Sequence, residues 1–156
     1  MKLKRLLKIL LIALLVVLLV AGGYVAYVII AWHRLPDHQA LAVAPAAGEA
    51  LEAGQRCRVV SWNIGFGAYE DDYGFFMDGG KQSWAWSRER LDANLQAIAG
   101  VLARQDADFL LLQEVDTDST RSYHVDEAAL LREALEETGY GSVFAQNYDS
   151  PFCSIP

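Results

Sequence analysis

Two patterns of apolar and polar positions divide the chain. Residues 9–31, from Ile9 to Ala31, carry no charged side chain. As a helix rising about 1.5 Å per residue, this stretch spans roughly 35 Å, enough for a hydrocarbon core of about 30 Å with some tilt. A cleaved signal peptide is the rival reading, but its apolar region runs only about 7–15 residues. The run here ends in Trp32-His33-Arg34-Leu35-Pro36 rather than a small-x-small cleavage site. It therefore reads as a retained anchor. A buried core helix would need a host domain upstream, and residues 1–8 do not supply one.

Beyond the apolar run the periods shorten. Residues 35–55, with Pro, Ala, Gly and Glu and no sustained period, predict a stalk. Arg58 to Asn63 is a β-branched and aromatic run that predicts a strand. A long loop from Gly65 to Gln82 follows, with five glycines and several aromatics. Leu91, Leu95, Ile98 and Leu102 then recur at helical spacing, with Ser87 as cap and Glu89 at the positive end of the helix dipole. Asp108 to Glu114 is a continuous apolar run bounded by acids, as expected of a strand buried on both faces. A second helix is predicted over Asp126–Thr138, capped by Asp126 and stopped by Gly139, and a third strand over Tyr140–Gln146. Strand, helix, strand, helix, strand predicts a layered α/β arrangement with helix-linked parallel strands.

Charge adds an orientation and an exclusion. Lys2, Lys4, Arg5 and Lys8 precede the apolar run and Arg34 follows it, which puts the N-terminus in the cytoplasm and the remainder outside a cell membrane crossed once. Residues 37–156 hold eight basic residues against all 20 acidic ones, a formal charge of −12. Such a surface repels a phosphate backbone and argues against non-specific nucleic-acid binding. A hydrophobic share of 53% with four Trp and seven Tyr argues against disorder. The expected organisation is a basic cytoplasmic segment (1–8), a transmembrane anchor (9–31), a linker (32–56) and a domain (57–156). Cys57 and Cys153 are either a bridge, which an extracytoplasmic setting tolerates, or two unrelated buried thiols. No Cys/His spacing suits zinc.

Asn63 and Glu114 fall at the carboxyl ends of successive strands, where open α/β sheets carry their ligand sites. Alone, an Asn there is ordinarily a turn-former. A carboxylate beside Leu110–Leu112 needs a partner, either an arginine such as Arg121 or a divalent metal. Hard cations such as Mg²⁺ take carboxylate and amide oxygens, with one or two protein carboxylates.

Val59-Val60-Ser61-Trp62-Asn63-Ile64-Gly65 and Asp108-Phe109-Leu110-Leu111-Leu112-Gln113-Glu114-Val115-Asp116 resemble the first two motifs of the endonuclease/exonuclease/phosphatase superfamily. Phe75-Phe76-Met77-Asp78-Gly79-Gly80-Lys81 further resembles a loop in its membrane-anchored bacterial members. The resemblance covers about residues 57–150. It implies a two-layer α/β sandwich of the metal-dependent phosphoesterase type, here incomplete and preceded by one transmembrane helix. It also implies Mg²⁺- or Mn²⁺-dependent hydrolysis of a phosphate-ester substrate. Glu114 matches the family's metal-binding glutamate, and Asn63 the asparagine that helps hold the metal or its water shell.

The family's general base, an Asp-x-Asn pair and a final Asp-His lie in a second half that these residues do not supply. His33 and His38 flank the anchor, and His124 sits in a loop and in no family motif. Asp71 and Asp72 read as solvated loop charges. The expectation is an N-terminal part of a phosphoesterase, inactive alone. The alternative is a non-catalytic extracytoplasmic binding or scaffold domain that keeps the fold.

Overall fold

The computed structural model describes residues 2–32, 35–48 and 50–149. Cys153, and with it the Cys57–Cys153 pairing, lies outside the described residues, as do His33 and Arg34. The chain divides into two compact units, one carrying the N-terminal helix and the other spanning Ala42–Phe144.

The first unit is dominated by α1 (Lys2–Ala31). Its 30 residues would extend about 45 Å. The helix starts earlier than the apolar run because Lys, Arg and Leu are good helix formers. Leu3–Ala31 is the one helix long and apolar enough to cross a membrane among the described residues. Its side chains, such as Leu11, Leu15 and Val20, are exposed.

The second unit is mixed α/β. Its elements are β1 (Val43–Ala44), β2 (Val59–Asn63), α2 (Arg88–Leu102), β3 (Phe109–Gln113), α3 (Glu127–Ala134) and β4 (Ser142–Val143). Strands β2 and β3 pair in parallel across the α2 crossover, with Val59 opposite Phe109 and Asn63 opposite Gln113. Helix α2 starts where expected: Ser87 is extended and its hydroxyl accepts from the Arg90 amide at 3.2 Å. Leu91, Leu95 and Leu102 are buried, as their spacing predicts; Ala99 joins them and Ile98 sits at the edge of the core. Each fully buried leucine is worth about 1.5–3 kcal/mol, so Leu91 and Leu102 anchor α2. Asp126 caps α3 by accepting from the Ala129 amide at 2.8 Å. The regular helix ends four residues before Thr138, giving way to a 3₁₀ turn (Glu136–Thr138) and Gly139. There the Thr138 hydroxyl donates to the Leu135 carbonyl and competes with the helical ladder.

Two expectations are corrected. β3 is not buried on both faces: Leu110 and Leu112, with Trp62 of β2, pack toward the helices, whereas Phe109 and Leu111 are about half exposed, as is Val59 of β2. Among the described residues of this unit, the helices pack on the Trp62, Leu110 and Leu112 face of the two-stranded sheet. The third strand is two residues long rather than seven and does not join the parallel pair. It pairs antiparallel with β1, from the segment expected to be a stalk, with Val43 opposite Val143. The left-handed turn at Gly139 (φ 76°), whose carbonyl accepts from the Ala47 amide, steers the chain toward β1.

Candidate site at the strand ends

Asn63 and Glu114 meet because β2 and β3 are parallel and in register to their last residues. Asn63 closes β2, and Glu114 follows β3 directly. The Asn63 amide nitrogen donates to Glu114 Oε1 at 2.9 Å, and its oxygen accepts from the Gly65 amide at 2.9 Å. The orientation is fixed by complementarity: a carboxylate only accepts and a backbone amide only donates. Asn63 therefore positions Glu114, and its own oxygen is engaged by the turn.

That turn is built tightly. Gly65 has φ 56°, and a Cβ there would come within 2.4 Å of the Tyr69 ring. Only glycine suits both the left-handed backbone and the packed tyrosine. The chain doubles back so that the Ile64 amide donates to the Gln113 carbonyl and the Phe66 amide to the Glu114 carbonyl. Glu114 itself is left-handed at φ 53°. Such a conformation costs energy in a residue with a Cβ and persists where surrounding bonds impose it; here the Phe66 amide and the Asn63 side chain do so.

The second Glu114 oxygen faces Arg121 Nη1 at 3.5 Å. Arg121 is committed more firmly elsewhere. Its Nε and Nη2 donate to the two Asp116 oxygens, each at 2.9 Å, and its guanidinium lies over the Phe66 ring at 4.0 Å. Burial alone would lower the Arg121 pKa, but Asp116, then Glu114 and Glu127, outweigh it and raise it. The arginine weighed from the sequence as a partner for Glu114 is thus in place, with Asp116 as its main partner.

Behind Asp116 lies Glu127, fully buried at the first turn of α3. Its Oε2 accepts from the Asp116 amide at 3.0 Å, while Oε1 has no protein partner. Burial pushes this carboxyl up to about 8; the Asp116 amide opposes the shift, the Asp116 charge adds to it and Arg121 opposes it. Ser122, also buried, donates to Asp116 Oδ2 at 2.9 Å. Sequence reasoning missed Glu127, because a glutamate just after a helix cap is ordinarily solvated and dipole-stabilised. Tyr69 was missed too. Its hydroxyl donates to Asp78 Oδ2 at 2.7 Å, and burial, then that bond, raises its pKa and keeps the phenol protonated.

His124 pairs with Asp118 at 2.5 Å on an exposed stretch. His38 lies in the other unit. Asp72 is exposed, as expected of a solvated charge, and also accepts from Arg90 at 2.9 Å and from the Trp86 indole at 3.2 Å. Cys57 is exposed.

The donor chemistry fits a divalent cation in a limited way. Glu114 offers one carboxylate with a weakly held oxygen, which suits a hydrated Mg²⁺ or Mn²⁺ that keeps most of its waters. Among the described residues no group of three or more His, Cys, Asp and Glu side chains is arranged to hold a metal. Compared with models of protein families, with curated proteins and with solved structures, the chain finds no match.

Proposed function

We propose that the chain carries the cation-binding side of a membrane-anchored, metal-dependent phosphoesterase site of the endonuclease/exonuclease/phosphatase type. The observation that carries this reading is the Asn63–Glu114 hydrogen bond at the carboxyl ends of adjacent parallel strands. It joins two residues, 51 apart in sequence, that the motif resemblance had selected independently. On this reading β2 and β3 belong to the sheet of a two-layer sandwich, whose other layer would cover the exposed face of Val59, Phe109 and Leu111.

Glu114 would supply an anionic ligand, with Asn63 holding its rotamer. A bound Mg²⁺ would supply charge stabilisation for the phosphate oxygens and leaving group. Hydrolysis also needs a base for the attacking water and groups to grip the phosphate. His124 is exposed and paired with Asp118, and the proposal gives it no part in the reaction. The proposal therefore assigns these residues one side of the site rather than the whole reaction. Helix α1 serves as the single-pass anchor, with the basic end cytoplasmic and the Ala42–Phe144 unit outside.

One observation favours a second reading. The Arg121–Glu114 ion pair already offsets part of the glutamate's charge, as in a binding or scaffold domain that has kept the fold without chemistry. Activity separates the two. In the intact protein, Glu114→Gln should lower Mg²⁺-stimulated hydrolysis of a phosphodiester by about 100-fold or more, since losing the anionic ligand removes several kcal/mol of charge stabilisation. Absence of any such hydrolysis in the intact parent would leave the scaffold reading, and an unchanged rate in Glu114→Gln would remove Glu114 from the site.

A further inference from the structure

The contacts of Arg121 are unequal. Two bonds at 2.9 Å form a fork on Asp116, whereas Glu114 receives only one, at 3.5 Å. The Asp116 side chain is 12% exposed and that of Glu114 40%. A bidentate guanidinium–carboxylate pair in a sheltered position is the stronger and more directional of the two. Phe66 under the guanidinium and Ser122 on Asp116 fix the fork further. Arg121 can therefore release Glu114 without leaving its seat.

We propose that Arg121 is the resident counter-cation of Glu114, which an incoming divalent cation displaces, and that Asp116 sets the affinity of the site by holding Arg121 back. The inference rests on reading Glu114 as a cation ligand and adds a device that regulates it. With Arg121 shared, Glu114 is partly neutralised and its carboxylate oxygen is available only after the 3.5 Å contact opens. Removing the guanidinium charge frees Glu114 and removes a repulsion felt by any dication beside it. Neutralising Asp116 does the reverse, because the whole guanidinium charge then falls on Glu114. A merely structural role for the pair would make both changes weaken binding, whereas the counter-cation role gives them opposite signs.

The test uses Mn²⁺ alone as probe. The full chain in detergent micelles is titrated with Mn²⁺, free ion is read by electron paramagnetic resonance, and each variant's unfolding temperature is recorded. Arg121→Gln, which keeps a donor for Asp116, should tighten binding by about tenfold, the scale of one unit charge acting a few ångströms away through a partly solvated medium. Asp116→Asn should weaken it by about the same factor. Weaker or unchanged binding in a folded Arg121→Gln overturns the proposal, as does tighter or unchanged binding in Asp116→Asn. The Asp116→Asn arm decides by itself if Arg121→Gln does not fold. Glu114→Gln separates the two levels: Mn²⁺ binding equal to the parent's would sink the ligand assignment itself. Loss of binding there, with Arg121→Gln also weaker, would sink only the counter-cation role.

Discussion

The Asn63 amide reaches across the ends of two parallel strands and donates to Glu114 Oε1 at 2.9 Å, while its oxygen holds the Gly65 turn. One side chain thus ties a strand end, a turn and a carboxylate together. Asn63→Ala removes both bonds and leaves Glu114 in its left-handed conformation with one restraint fewer. Each such bond contributes about 0.5–1.5 kcal/mol, more when it reaches a charged group. The variant should unfold several degrees below the parent in thermal melts of the full chain in detergent. Its Mn²⁺ affinity should fall less than that of Glu114→Gln, because the ligand remains. Parental stability and affinity together would mean that Asn63 holds nothing.

Glu127 makes stability depend on pH in a defined direction. Its carboxyl is raised from the ordinary value near 4.5 to about 8, so the folded chain keeps a proton that the unfolded chain has lost between those values. Stability from this group is fully present below about 4.5 and is lost as pH rises through about 8. Glu127→Gln keeps an acceptor for the Asp116 amide and cannot ionise. Denaturant melts at pH 5.5 and 8.5 should show the variant gaining on the parent as pH rises, by roughly 1–3 kcal/mol. Parallel pH profiles for the two chains would show that Glu127 does not titrate in this window.

What the sequence disclosed was local chemistry and strong periodicity. Ser87, Asp126 and Gly139 were legible because capping and helix termination depend on a few adjacent residues. The pairing of Asn63 with Glu114 followed from two strand ends joined by one helix. The β1–β4 pair was not legible, since Val43 and Val143 belong to runs too short to carry a period. The exposed half of β3 was misread because a continuous apolar run carries no label for which face is covered. Glu127 was hidden for another reason: its burial comes from the packing of α3 against the Asp116–Arg121 loop, which no neighbouring residue announces.

The anchor reading makes a topological prediction. Helix α1 has the basic residues Lys4, Arg5 and Lys8 near its start and none in its last turn, so its N-terminus should face the cytoplasm. Protease added to intact spheroplasts should digest the Ala42–Phe144 unit and leave a small membrane-bound fragment. Protection of that unit until lysis would reverse the orientation, and a mature chain starting after Ala31 would establish cleavage instead.

The central claim is that Glu114 is a divalent-cation ligand, and anomalous diffraction tests it most directly. Crystals of the chain soaked in Mn²⁺ should show a peak within coordination distance of Glu114 Oε2, with Arg121 Nη1 moved away and its fork on Asp116 intact. Glu114→Gln crystals treated identically should show none there. No peak at Glu114 in the parent crystals, or a peak that survives Glu114→Gln unchanged, would contradict the account.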